Sequence, residues 1–350
     1  MRLEARERAS RWALLLAPAA AIAFTLAVCA ALVLWAGAPV GAAYAALLEG
    51  GFGSRFALTE TLTRATPLIF TGLAAAVAFR ARFFNIGAEG QLYLGALAAV
   101  AVGGQYDGTW PAALVFAAML LAATLAGSAW LAIAALLRTR LAVDEVVTTL
   151  LLNFVVLLFV GWMLDGPMKD PTAMGWPQSV ALAPALEFSK LAERSRLHSG
   201  FLLALGCALA LAAIAKFTAF GLEARAVGAN AAAARFAGVP VAATTLKTAL
   251  LSGALAGLAG AVEVAGRTGY VTLDMSPGYG YAGIVVAMLA ALSPLGVVAA
   301  AVFIAGMFVG ADSMSRAVAV PTYIADVIVA VSLLATLVAT QLVRYRVRWR

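Results

Sequence analysis

The chain has 350 residues, 64% of them hydrophobic and only 12% charged. Soluble domains carry about a quarter charged residues, so this composition excludes a soluble globular protein and indicates an all-α polytopic membrane protein. The net charge of +7 is no signal for nucleic acid, because the basic residues cluster at the ends of apolar runs, as membrane topology requires.

The N-terminus is basic (Arg2, Arg6, Arg8, Arg11) and is followed by an apolar run over 13–36. That run is too long for the core of a cleaved signal peptide and reads as a first anchor. Further runs of spanning length cover 61–79, 86–103, 110–137, 146–164, 199–215 and 248–266. From Met275 to Ala311 there is no charge, but the stretch is too long for one span and is interrupted by Ser293-Pro294-Leu295-Gly296. Proline and glycine there break helix hydrogen bonding, which predicts two pieces, 281–292 and 295–311, the first a half-span or re-entrant helix. A last run covers 321–343. The expectation is a single transmembrane domain over 1–350 with about ten spans.

With the N-terminus inside and ten alternations, sixteen basic residues fall on the inner side and eight on the outer, four of those eight in one loop. This bias predicts both termini in the cytoplasm. The loop from Asp165 to His198, with Pro167, Pro171, Pro177 and Pro184, is then extracytoplasmic, either a solvated loop or a cover for a vestibule or partner. Residues 218–247 form the long cytoplasmic segment between spans. Within it Asn230 is a good N-cap, Ala231–Ala237 has high helix propensity, and Gly238 followed by Pro240 ends the helix. A short helix between Gly228 and Gly238 suits docking into a cleft of another protein. Resting on lipid headgroups is the plainer alternative, weakened by its thin polar face.

The stretch Phe83-Phe84-Asn85-Ile86-Gly87-Ala88-Glu89-Gly90-Gln91 sets polar groups among glycines between two apolar runs. Polar side chains at the edge of a span are costly and usually functional; the alternative is a polar linker. A P-loop needs Gly-Lys-Ser/Thr, and none of Lys169, Lys190, Lys216 or Lys247 follows a glycine. Any ATP hydrolysis must come from another chain. His198 is the only histidine, and Cys29 and Cys207 lie inside apolar runs, so no nucleophile–base pair, metal site or cofactor is expected, and the chain reads as a non-enzyme.

Four stretches carry a family resemblance. Thr66–Leu73 through Phe79-Arg80 and Phe84–Gln91 resembles permeases of ABC importers, in the branch that includes nucleoside (guanosine-type) importers within the branched-chain amino acid, simple sugar and nucleoside permeases. Leu137–Arg140 with Asp144–Leu150 and Asn153 is similar to that branch's middle segment. Residues 221–239 resemble its coupling loop, and Gly280–Ala287 with Ser293–Gly296 its late helix break. Two positions depart: Ala231 follows Asn230 where the family usually has Pro, and Asp144 stands where Asn is common. Pro at the first helical turn only pre-sets the backbone, whereas Asp144 leaves a detail of the permeation path open.

The resemblance implies one permease half of a two-permease, two-ATPase importer in the bacterial inner membrane. Its partners would be an ABC ATPase subunit, a second homologous permease chain, an extracytoplasmic substrate-binding lipoprotein and membrane lipid. Gly228, Asn230, Arg235 and Gly238 would couple to the ATPase. For a nucleoside, Glu89, Gln91 and Asn153, with Asn85, supply hydrogen bonds, and Phe83, Phe84, Tyr279 and Tyr281 supply stacking faces; packing is the plainer role for each aromatic taken singly. Simple sugars and branched-chain amino acids are the alternative substrates. A proton-coupled secondary transporter fits less well, since Glu263 and Asp326 are peripheral to their runs. Pairing of Glu263 with Arg267, and of Glu145 with Arg138 or Arg140, is expected instead.

Overall fold

The computed structural model describes residues 2–5, 11–319 and 345–348, with isolated positions between 323 and 339; side chains are described from residue 23 as far as those isolated positions. Asp326 and most of the apolar run over 321–343 lie outside the described residues. Apart from one antiparallel pair, Arg2–Ala5 (β1) with Tyr345–Arg348 (β2), the described elements are helical. The chain divides into two compact units, Met1–Thr61 with Val302–Arg350, and Leu62–Ala301.

In the first unit, α1 (Arg11–Trp35) ends where the apolar run predicts. A second helix, α2 (Val40–Phe52), follows after a bend of 118°. Gly37 at φ +77° makes the turn and Pro39, which cannot donate a backbone hydrogen bond, immediately precedes α2. Cys29, Val33, Leu47 and Met314 form the buried core of this unit, so Cys29 is the packed core thiol its surroundings suggest.

The second unit begins within α3 (Arg55–Arg80) and continues through α4 (Ala88–Gly103), α5 (Ala112–Leu141), α6 (Glu145–Asp165) and α7 (Gly200–Phe217). Two short helices follow, α8 (Ala219–Ala229) and α9 (Ala231–Phe236). Then come α10 (Val241–Glu263), which runs into a π-helical turn at Val264–Thr268, α11 (Tyr279–Leu289), and the start of α12 (Pro294–Val318), whose residues after Ala301 belong to the first unit. Among the described residues six helices are long and apolar enough to cross a membrane, or seven if the bent α1–α2 pair is one span. The 281–292 piece is the 11-residue α11, short as expected of a half-span, whereas the run over 86–103 gives only the 16-residue α4, so not every run of spanning length yields a full-length helix. The break between α11 and α12 falls at residues 290–293, close to its predicted position. Ala291 and Leu292 adopt φ of 49° and 61°, Pro294 opens α12, and the Arg80 guanidinium donates to the Leu292 carbonyl at 2.7 Å. That cation satisfies a carbonyl that a helix end leaves without a partner.

α10 sits against both α4 and α5 through glycines. A Cβ on Gly127 of α5 would collide with the Gly253 carbonyl, and one on Gly95 of α4 with the Gly257 carbonyl. Gly253 and Gly257 are one helical turn apart, the small-xxx-small spacing that lets backbones approach where lipid supplies no hydrophobic drive. The loop over 165–198 is not merely solvated. Leu182 and Phe188 donate backbone hydrogen bonds to the Gly269 and Ala265 carbonyls at 2.8 and 2.9 Å, and Ser179 exchanges two bonds with Val271. The loop is therefore fastened by its backbone to the end of α10 and its π turn.

Candidate functional site

The chain leaves helical geometry between α3 and α4, at residues 81–87, and the peptide groups freed there need partners. Asn85 is completely buried. Its Nδ2 donates to Gln91 Oε1 at 2.9 Å and to Ser252 Oγ at 3.0 Å, while its Oδ1 accepts from the Gly87 N–H and from Gln91 Nε2, each at 2.9 Å. Ser252 Oγ in turn donates to the Ala74 carbonyl at 2.8 Å. The amide pair thus ties the break to α4, α10 and α3.

Asn153, also fully buried, projects from α6 onto the same break. Its Oδ1 accepts from the Gly90 N–H at 2.8 Å, and its Nδ2 donates to the Ile86 carbonyl at 3.0 Å and to the Tyr281 hydroxyl at 3.2 Å. One turn earlier on α6, Thr149 Oγ1 accepts from the Ile86 N–H at 3.1 Å. Glu89, 4% exposed, accepts from the Gly280 N–H at 2.6 Å, joining the first turn of α4 to the first turn of α11. A Cβ on Gly280 would collide with the Glu89 backbone, so this approach requires glycine.

Phe83 and Tyr279 are fully buried and offer no stacking face, and the other six candidates lie around one helix break. They divide by environment. Asn85, Glu89, Gln91 and Asn153 are buried and hydrogen-bonded to the break and its neighbours. Phe84 and Tyr281 are each 40% exposed. Ser252 and Thr149 belong to the same network and were not predicted, because a lone hydroxyl in an apolar helix most often bonds its own preceding turn, as Thr149 also does toward Glu145.

Glu145 at the start of α6 pairs with Arg138, one of its two expected partners, and accepts from the Phe84 N–H at 3.2 Å. Asp144 is the exposed N-cap of α6, its Oδ1 accepting from Val146 and Val147 N–H groups at 2.8 and 3.2 Å. Asn caps equally well, so the departure from the common Asn concerns a helix end and not the break network. Glu263 pairs with Arg267, as expected, and Arg267 reaches the Tyr279 hydroxyl at 3.4 Å.

The second predicted group forms a short rigid unit. Asn230 Oδ1 accepts from Ala232 and Ala233 N–H groups at 3.0 and 3.1 Å, capping α9. Gly238 takes φ +85°, which a non-glycine residue adopts only with strain. Arg235 and Phe236 are exposed on α9. Gly228 is buried in α8, where a Cβ would collide with the Arg80 carbonyl at the end of α3. α8, which leads directly into the displayed α9, is thus held against the end of a spanning helix with no side chain between.

Apolar helices of spanning length with broken segments, clamped by polar side chains, and a short helix displayed beside them define a membrane permease. The chain belongs to the family described as the permease component of the branched-chain amino acid transport system, whose sequence model matches residues 57–337. It is 37% identical to the guanosine ABC transporter permease protein NupP of Bacillus subtilis, over 91% of this chain and 92% of that protein. It is also 37% identical to the glucose ABC transporter permease protein TsgB13 of Haloferax volcanii, over 87% and 82% of the two chains. Identity to the nucleoside ABC transporter permease protein NupB of Lactococcus lactis is 30%, over 78% and 77%.

Proposed function

We propose that this chain is the permease subunit of an ATP-driven ABC importer of nucleosides in the bacterial cytoplasmic membrane. The observation that carries the reading is the similarity to a guanosine permease along nine-tenths of the chain, joined by a nucleoside permease. ATP hydrolysis belongs to a separate ATPase, since no lysine of this chain follows a glycine as a P-loop requires. The chain works with a second homologous permease and an extracytoplasmic binding lipoprotein. About ten membrane crossings, counting short and broken segments, put both termini in the cytoplasm, in keeping with the sixteen-to-eight bias of basic residues and with the pairing of β1 and β2.

In this reading the 81–87 break and the start of α11 line the substrate path, where irregular backbone is tolerated because it borders a cavity. Asn85, Glu89, Gln91 and Asn153 hold the backbone of the path, while Phe84 and Tyr281, the exposed members, meet the base. Asn230, Arg235 and Gly238 form the ATPase contact, and Gly228 transmits its displacement to α3. The glucose permease relative supports a second reading, a sugar as substrate.

Uptake of labelled purine and pyrimidine nucleosides by cells with and without this chain, in competition with glucose, ribose and leucine, tests the proposal. Loss of nucleoside uptake on deletion, uncompeted by the sugars or leucine, is expected. Unchanged nucleoside uptake with lost glucose or ribose uptake would replace the substrate and keep the permease.

A further inference from the structure

A cavity of about 310 Å³ opens beside α9, lined by Arg82, Arg138, Thr139, Arg235 and Thr245 among others. These side chains come from four separate places: the turn after α3, the last turn of α5, α9, and the first turns of α10. Three arginines therefore line one hole from elements far apart in sequence. Arg138 is the one with an acidic partner, Glu145; among the described residues no carboxylate ion-pairs with Arg82 or Arg235. The excess charge is held in place by the backbone. Arg82 sits at φ 51°, a conformation unfavourable for a residue with a side chain, and its carbonyl accepts from the Arg138 guanidinium at 2.9 Å.

We infer that this cavity is a binding site for a phosphate group, supplied by the headgroup of an anionic phospholipid or by free phosphate. Guanidinium forks match phosphate oxygens in paired hydrogen bonds. The cavity lies where α3 and α5 end and α10 begins, the level of the headgroups if these helices cross the membrane. Exposed apolar side chains flank its basic lining in sequence: Leu141 at 68% and Phe236 at 96% exposure. An acyl chain gains from such neighbours and a free anion does not, so the lipid headgroup is the favoured source. Basic pockets between spans on the cytoplasmic side bind anionic headgroups by the same physics. The site rests on the inward orientation assigned to this face and is independent of the substrate. Its consequence is mechanical: a bound headgroup bridges Arg235 on α9 to Arg82 and Arg138, bracing the displayed helix against the bundle.

The test uses the full chain in mild detergent, with native mass spectrometry of bound phosphatidylglycerol against phosphatidylcholine, and thermal midpoints with and without inorganic phosphate. Wild-type protein should retain phosphatidylglycerol preferentially. The double variant Arg82→Gln/Arg235→Gln should lose that preference by about five-fold or more. Arg82→Lys/Arg235→Lys, which keeps the charge, and Arg140→Gln, an arginine outside the cavity lining, should largely retain it and thereby control for folding. Protection by inorganic phosphate that vanishes in the glutamine variant, with no lipid preference, assigns the site to free phosphate. A glutamine variant that binds lipid and phosphate like wild type overturns the site. If it also releases a co-purified ATPase subunit, the cavity is a socket for acidic side chains of that partner.

Discussion

Asn153 has the most consequential side chain in the break network. It satisfies the Gly90 N–H and the Ile86 carbonyl, two backbone groups that no helix ladder reaches. Asn153→Ala leaves both buried without a partner, and should cost about 1–2 kcal/mol, read as a lower thermal midpoint in detergent together with reduced uptake. His198 gives a separate, pH-dependent expectation. Its ring is buried against Phe188 in the loop fastened to the end of α10, Nδ1 has no partner, and burial lowers its pKa to about 4. The folded state then holds a neutral ring, while the unfolded chain takes up a proton near pH 6.5. Stability is therefore fully present above the unfolded value and falls as pH drops toward 4, by about 2 kcal/mol between pH 7 and 5. The drop in thermal midpoint across that window should disappear in His198→Gln. From the sequence, His198 was legible only as an isolated histidine excluded from metal and triad chemistry; its burial depends on a loop whose packing no local pattern records.

At the scale of elements, α9 was legible in the chain because its signals are local. Asn230, the alanine run, Gly238 and Pro240 act within a few residues of one another. α8 was not, since Thr218–Ala229 lacks such a strong periodic signal and is fixed by its seat on α3. Gly228 connects the two. Gly228→Ala adds a single methyl group, yet it must push α8 off the Arg80 carbonyl. The assembled transporter carrying this variant should hydrolyse ATP while moving substrate several-fold more slowly, a split measured by parallel ATPase and uptake assays in vesicles. Wild-type coupling in that variant would remove the rigid junction from the mechanism. The same locality explains why the α11–α12 break was foreseen from Ser293-Pro294, whereas the α1–α2 bend was not, although Gly37 and Pro39 lie within it.

For the whole molecule, the decisive question is the energy source. Reconstituted with its ATPase and second permease, the chain should transport only when ATP is supplied, and a proton gradient alone should drive nothing. Transport on the gradient alone would overturn the ABC reading. The three buried acids among the described residues are each engaged: Glu89 by the Gly280 N–H, Glu145 by Arg138, and Glu263 by Arg267. A relay needs carboxylates free to exchange protons along a path.

The sequence by itself determined the solvent, the family and the local punctuation. Apolar run lengths, the bias of basic residues and the Asn85–Gln91 and 221–239 stretches depend on composition and near neighbours, and these survive in one dimension. Only the tertiary structure decided how the polar stretch is used. Asn85 meets Ser252 across 167 positions and Glu89 meets Gly280 across 191. Such pairs arise because a helix break inside a bundle must find hydrogen bonds wherever the packing brings a donor or acceptor. The run over 86–103 loses its first residues to such a break, whose freed backbone groups are satisfied by distant residues.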